Sequence, residues 1–255
     1  MDVADHITAI GEEGQLMADA AGQAGLNVDI DACPGWTVRD LVRHVSEIHL
    51  WAAAHVALRA TKMWVEDVAE LTASWPGLAV FWPADDELAE HYLRTNANLV
   101  AELEGAPVDL DAMTFLAAPS PLAMWARRQA HEVAIHRFDA QRAAGVPTVF
   151  DAEFAVDGID ELLCAFAPRA KRFPVAASRA MLVHATDTDD CWRVTLSPDG
   201  IATARDDGPA DVTVRGRASD VYLVMWNRSD DTVVDVEGAR DLLQTWHDNH
   251  RVRWF

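Results

Sequence analysis

The sequence predicts a two-domain α+β protein, with an N-terminal four-helix bundle followed by a smaller mixed domain. Half of its 255 residues are apolar, which is enough material for two ordinary cores. Apolar residues recur at steps of three and four up to about residue 146, as amphipathic helices require. After Pro147, short β-like runs alternate with helical segments, which is typical of an α+β domain. We therefore place the domains at residues 1–147 and 148–255.

The first two helices of the bundle are predicted over residues 3–24 and 38–64. An apolar stripe runs along the first helix, and Gly25 ends it. The second helix has Thr37 as its N-cap and Asp40 at the third helical position, where a carboxylate accepts hydrogen bonds from the backbone. Both helices have one apolar face, so we expect each to pack against the rest of the bundle.

The third and fourth helices are predicted over residues 85–105 and 122–144. A long connection rich in aromatic residues, 65–84, precedes them, and connections of this length often form lids or pocket walls. The third helix begins with acidic residues, which complement its dipole. The fourth has the clearest ends, because Ser120 is an N-cap candidate, Pro121 suits the first helical position, and a glycine follows its last residue.

The second domain is predicted to begin with a helix over residues 150–169. A Ser-Pro-Asp-Gly turn separates two of the β-like runs that follow, as in a hairpin. Ser219 is expected to cap a later helix. The predicted strands are residues 180–185, 192–196, 201–204, 212–214 and 233–236, and the predicted helices are residues 221–227 and 239–247.

Composition excludes several classes of partner. The chain has 41 acidic and 21 basic residues, which gives a formal charge of −20 at pH 7 and would repel nucleic acids and anionic membranes. No apolar stretch approaches the roughly 20 residues of a membrane span, and no targeting segment is recognisable. Three scattered cysteines fit neither a metal site nor a disulfide framework. We expect a cytoplasmic monomer or homodimer.

Three polar residues on inward-facing helical positions form a candidate metal site. Glu132 and His136 lie four residues apart on the inner seam of the fourth helix, so they project from one face. His44, at the edge of the apolar stripe of the second helix, can reach the bundle interior. Two imidazoles and one carboxylate suit catalytic zinc with an open position, and they also suit non-haem iron. A Glu–His pair at this spacing is often a surface pair, but its place on the seam near Trp125 and Gln129 favours a metal site.

Two parts of the sequence carry a family resemblance. Residues 33–45 (CPGWTVRDLVRHV) and 125–139 (WARRQAHEVAIHRFD) together resemble the metal-binding domain of the mycothiol-dependent maleylpyruvate isomerase family, which is a DinB-like four-helix bundle. Residues 208–220 (GPADVTVRGRASD), together with Trp226, resemble the second domain of that family, which is similar to sterol carrier proteins. The resemblance therefore covers both halves of the chain.

The resemblance implies a metal cofactor and a thiol cosubstrate. His44, Glu132 and His136 match the family's ligands for Zn²⁺, although another divalent metal is compatible with the same set. The family uses mycothiol, a low-molecular-weight thiol. Trp125 and Gln129, on the same seam as two of the ligands, are then the candidates to contact this cosubstrate.

The resemblance also implies an arginine from the second domain that binds the substrate. Arg215 is the candidate, with Arg217 and Arg228 nearby as alternatives. The implied reaction is addition of an activated thiol to a small electrophile, either as an isomerase or as a thiol S-transferase. Two alternatives are a non-catalytic metal-binding regulatory protein on the same fold and a metal-dependent hydrolase.

Overall fold

The computed structural model describes residues 1–62 and 83–252. They divide into two compact units, Met1–Thr148 and a second unit that begins at Val149. The aromatic connection predicted over residues 65–84 lies outside the described residues as far as residue 82. The predicted α+β class is confirmed, because the first unit is helical and the second combines helices with a sheet.

The described part of the first unit contains four helices. They are α1 (Val3–Ala24), α2 (Val38–Ala57), α3 (Leu88–Gly105) and α4 (Pro121–Ala143). Both α1 and α2 pack against α3 and α4. The apolar core that they share includes Met17, Leu41, Val45, Tyr92 and Val133. This packing brings α2 next to α4, the two helices that contain the predicted metal ligands.

Both ends of α4 lie where the sequence places them. The Ser120 Oγ accepts a hydrogen bond from the backbone N–H of Ala123 at 3.1 Å, which caps the first turn. Beyond the other end, Gly145 has a left-handed φ of 68°, and the N–H of Val146 donates to the carbonyl of Gln141 at 2.8 Å. Local hydrogen bonds therefore set both ends of α4. They also set which of the side chains between those ends lie on the same face of the helix.

The predicted end of the second helix, at residue 64, is wrong. α2 ends at Ala57, and Arg59 adopts a left-handed φ of 49°. The N–H of Ala60 donates to the carbonyl of His55 at 3.0 Å, which closes the helix in the way that glycine usually does. No glycine or proline occurs at this point in the sequence, so the apolar period alone carried the prediction too far.

The second unit consists of a mixed sheet and several helical segments in its described part. Helix α5 (Ala152–Asp160) continues into a π-helical turn (Glu161–Phe166) and a 3₁₀ turn (Ala167–Arg169), so the helix predicted over residues 150–169 changes its winding. The sheet order is β3-β2-β1-β4-β5, with β1 and β4 parallel and the other neighbours antiparallel. The remaining elements are β1 (Arg179–Ala185), β2 (Asp190–Ser197), β3 (Gly200–Ala204), β4 (Val212–Gly216), α6 (Ala218–Met225), β5 (Asp235–Gly238) and α7 (Arg240–Asn249).

Two details of the second unit differ from the prediction. The last strand begins at Asp235 rather than at residue 233, because a 3₁₀ turn, Asp231–Val233, comes first. Ser219 lies inside α6 and does not cap it; its Oγ instead accepts a hydrogen bond from the backbone N–H of Phe150 at 3.0 Å. Among the described helices of both units, none is long and apolar enough to cross a bilayer.

Candidate metal centre

The structure brings the three predicted metal ligands together. His44 comes from α2, and Glu132 and His136 lie one turn apart on α4. The Oε1 of Glu132 is 3.6 Å from the Nε2 of His44 and 3.4 Å from the Nε2 of His136. One possible ligand atom from each residue lies within 4.8 Å of the other two. Residues 88 positions apart in sequence thus form one compact cluster.

The geometry of this cluster fits a divalent cation. Two ligand atoms that each lie about 2.0–2.1 Å from one tetrahedral ion are separated by roughly 3.3 Å, close to the distances above. Glu132 is buried, and its Oε1 accepts no hydrogen bond from any residue that the structure describes. A buried carboxylate oxygen without a donor is costly, and a cation would satisfy it.

Asp139 orients one of the histidines. The Nδ1 of His136 lies 2.9 Å from the Oδ2 of Asp139, one turn along α4. A carboxylate accepts hydrogen bonds, so Nδ1 has the proton and the lone pair of Nε2 faces Glu132. Asp139 is itself buried, at 2% exposure, so solvent does not compete for this hydrogen bond. Its three-residue spacing from His136 was the signal for this contact.

A buried arginine, which sequence reasoning missed, contacts the carboxylate of the cluster. The Nη2 of Arg128 donates to the Oε2 of Glu132 at 3.1 Å, and Arg128 is 1% exposed. The two residues lie four apart on α4, at the spacing where side chains of one helical face meet. The four-residue spacing from Glu132 is present in the sequence. Arginines usually lie at the surface, however, so the spacing alone did not predict a buried contact.

Burial, hydrogen bonds and charge set the pKa values in the cluster. Burial alone would raise the pKa of Glu132, but the imidazoles of His136 and His44 beside its Oε1 and the charge of Arg128 hold the pKa well below its usual value. Burial lowers the pKa of His44. Burial also opposes the charged form of His136, but the hydrogen bond with Asp139 and the nearby carboxylate of Glu132 outweigh it and raise the pKa. Glu132 is therefore the anion, and a cation competes with a proton for the Nε2 of His136.

Another histidine of α2 is buried near the cluster. His49 is 0% exposed, and neither of its ring nitrogens has a hydrogen-bond partner among the described residues. Burial lowers its pKa to about 3, so the ring is neutral at physiological pH. Its ring centre is 5.5 Å from that of Tyr92 on α3. His49 is not among the residues that the sequence predicted for the site.

The two residues predicted to contact the thiol are both buried. Trp125 is fully buried, its Nε1 donates to the carbonyl of Met113 at 3.1 Å, and its ring stacks on His55. Gln129, one turn further along α4, is 1% exposed, and its Oε1 has no hydrogen-bond partner within the described part of the chain. Of the two, Gln129 has an acceptor oxygen that is still available to a ligand.

The predicted substrate arginine belongs to the second unit. Arg215 lies on β4 and is exposed. Its neighbours in register are His184 on β1 and Asp235 on β5, and side chains directly opposite on adjacent strands share one face of a sheet. Arg215 thus lies on the more exposed face of the sheet, between a histidine and a carboxylate.

Two family models match the chain. The model of the mycothiol maleylpyruvate isomerase N-terminal domain matches residues 7–141, which is more than half of the chain. The chain belongs to the mycothiol maleylpyruvate isomerase family. The model of the MDMPI C-terminal domain matches residues 153–245, in the second unit. The family predicted from the sequence is therefore confirmed.

Solved structures show the same fold. A crystal structure of the mycothiol-dependent maleylpyruvate isomerase is 15% identical to this chain, with 93% of each chain covered and a TM-score of 0.65. The crystal structure of a histidine-to-alanine mutant of that isomerase is 14% identical, with 93% of each chain covered and a TM-score of 0.63. No curated protein sequence matches the chain. The family and these two structures describe an enzyme, as the resemblance implies.

Proposed function

We propose that this protein is a thiol-dependent enzyme that binds a divalent cation, most simply Zn²⁺, through His44, Glu132 and His136. The cation would activate mycothiol for addition to a small electrophile, in an isomerase or a thiol S-transferase reaction. The observation that carries this proposal is the buried Oε1 of Glu132, which faces two imidazole nitrogens and has no hydrogen-bond donor among the described residues.

The charge of the cluster suits an anionic sulfur ligand. A free thiol has a pKa near ~8.5, so only a few per cent is thiolate at neutral pH, and coordination to a dication removes its proton. The three ligands alone cancel half of a dication's charge, because the two imidazoles are neutral and the carboxylate has one negative charge. A single thiolate would cancel the other half, which favours a monoanionic ligand over neutral water in this buried place.

Two buried residues hold the side chains of the proposed ligands. Asp139 keeps the proton of His136 on Nδ1, and Arg128 holds one oxygen of Glu132.

The proposed reaction begins with addition of the thiol. The thiolate sulfur would form a bond to one carbon of an activated double bond, and the electron pair would move onto the substrate. Rotation about the resulting single bond would follow, and return of the electron pair would re-form the double bond, break the C–S bond and release the thiolate with the isomer. In an S-transferase, a proton is added and the C–S bond remains.

A positive side chain in the second unit would bind an anionic substrate. We assign this role to Arg215, with Arg217 and Arg228 as alternatives, because a guanidinium binds a carboxylate through two parallel hydrogen bonds. Each arginine is replaced by alanine in turn. The substrate arginine is the one whose loss raises KM for a carboxylate substrate while cation content stays unchanged.

We also propose that residues 1–147 and 148–255 are the two domains of a cytoplasmic monomer or homodimer. Each unit has its own buried apolar residues. None of the three cysteines forms a disulfide, which suits a reducing compartment. Size-exclusion chromatography with light scattering measures the oligomeric state, and limited proteolysis near residue 148 tests the boundary.

The first experiment is elemental analysis of the purified protein, followed by calorimetric titration with mycothiol. We expect one equivalent of divalent metal and thiol binding that disappears after chelation. His44→Ala and His136→Ala should each abolish metal binding, whereas His184→Ala, in the sheet, should retain it. Metal retained in both ligand variants would contradict the proposal. Metal without thiol binding would favour the hydrolase, and a metal-bound protein without any turnover would favour the regulatory alternative.

A further inference from the structure

The carboxylate of Glu132 is divided between two environments. Its Oε2 accepts a hydrogen bond from the Nη2 of Arg128 at 3.1 Å. Its Oε1 faces the Nε2 atoms of His44 and His136 at 3.6 and 3.4 Å. Arg128 and Glu132 are both buried, at 1% and 4% exposure, so solvent does not compete for either oxygen. One oxygen of Glu132 therefore faces the guanidinium, and the other faces the two imidazoles.

This division is unlike a purely structural ion pair. A guanidinium and a carboxylate that only stabilise a fold gain most from a two-pronged contact that satisfies both oxygens. Here one oxygen is held at a fixed place, and the other is left without a donor among the described residues. The arrangement costs stability in the metal-free protein and suits a carboxylate that offers a single oxygen to a cation.

We propose that Arg128 is a positioning residue, which holds Glu132 so that only Oε1 reaches the cation and which offsets the charge of that carboxylate. This inference rests on the proposed function. Because Arg128 compensates Glu132, the bound cation keeps more of its positive charge for an incoming thiolate. The same helix thus supplies a ligand, its orientation and the charge balance of the site.

The charge effect predicts a measurable shift. At an effective dielectric constant of about 20, a guanidinium within roughly 10 Å of a thiol lowers the pH at which the thiol loses its proton by about 1 to 2 units, because it favours the anion. Loss of the fixed carboxylate geometry weakens cation affinity by about 10-fold to 100-fold, as expected for residues that orient metal ligands. The pH shift and the loss of cation affinity can be measured separately. One variant removes the charge of Arg128, and another keeps the charge but removes the planar guanidinium.

The test uses the full-length, cation-loaded protein with mycothiol as the probe. For Arg128→Met, which lacks the charge, we expect the pH midpoint of thiol binding to rise by about 1 to 2 units. For Arg128→Lys, which keeps a positive charge but replaces the planar guanidinium with a flexible ammonium, we expect a midpoint of thiol binding within about half a pH unit of the wild type. Its cation affinity should be at least about 10-fold weaker. Competition with a chelator measures that affinity independently of catalysis.

Arg137→Met is the matched control. Arg137 is also a buried arginine of α4, and its Nε lies 2.6 Å from the Oε2 of Glu13 on α1. We expect this variant to be less stable, with an unchanged pH midpoint of thiol binding. It shows what the loss of a buried arginine does when the arginine pairs with Glu13 on α1.

Three results decide the proposal. An Arg128→Met protein with the wild-type midpoint would reduce Arg128 to a structural role. If that variant does not fold, Arg128→Lys decides, and wild-type cation affinity in it would overturn the positioning role. A wild-type protein that binds neither cation nor thiol would refute the proposed function itself, which distinguishes that failure from failure of the Arg128 inference.

Discussion

His49 should make the folded protein sensitive to acid. Its side chain is fully buried on α2, and its ring nitrogens have no hydrogen-bond partner in the described part of the structure. Burial lowers its pKa from 6.5 to about 3. In the unfolded chain the same ring is solvated and titrates near its ordinary value. Folding therefore requires a neutral ring over a pH range in which the unfolded chain binds a proton.

The sign and size of the effect follow from linkage. Between about pH 6.5 and pH 3 the unfolded state is protonated and the folded state is not, so the free energy of unfolding falls as the pH falls. A lowering of about 3.5 units corresponds to about 5 kcal/mol once pH 3 is reached. At pH 5 the loss relative to pH 7 is about 2 kcal/mol, which a denaturant titration measures easily.

The assay is urea unfolding of metal-free protein at pH 7 and pH 5, for the wild type, His49→Leu and His49→Gln. Neither replacement titrates, so both variants should lose about 2 kcal/mol less than the wild type between these pH values. His49→Leu should also be more stable than His49→Gln at pH 7, because it buries no polar atom without a partner. If both variants keep the wild-type pH dependence, the attribution to His49 is refuted.

Three further substitutions test the site and the fold. Asp139→Asn should weaken cation affinity by about 10-fold to 100-fold, measured by chelator competition; an unchanged affinity would remove its orienting role. Gly14→Ala should cost about 1–3 kcal/mol in thermal unfolding, because a methyl group there would lie 2.5 Å from the Nδ2 of Asn96. Gly238→Ala should lower the free energy of unfolding by about 2–4 kcal/mol, because the φ of Gly238 is 95° and the methyl group would overlap the carbonyl oxygen of Asp211. Wild-type stability of either glycine variant would contradict the corresponding contact.

Features of the fold that depend on neighbouring residues were predictable from the sequence. The N-cap at Ser120 and the terminating Gly145 fix the bounds of α4, and they act within four residues of the helix ends. The four-residue spacing of Glu132 and His136 follows from the helical period alone. Where local signals were absent, as at Arg59, the prediction ran past the end of α2.

Features that depend on residues distant in sequence required the tertiary structure. Spacing placed His44 near the interior, but packing of α2 on α4 brings its Nε2 to the Oε1 of Glu132. Spacing also left the environment of Asp139 and His49 open, since burial depends on which helices cover a side chain. The order of the strands, with β1 parallel to β4, is likewise a matter of chain topology.

The sequence by itself determined the family, the α+β class and the residue types of the candidate metal site. These properties depend on the spacing of apolar residues, on the signals at helix ends and on the identity of each residue. The tertiary structure decided which oxygen of Glu132 faces the histidines, which nitrogen of His136 has the proton, and which charges are buried. The physical reason is that desolvation and hydrogen-bond direction depend on atoms that only the folded chain brings together.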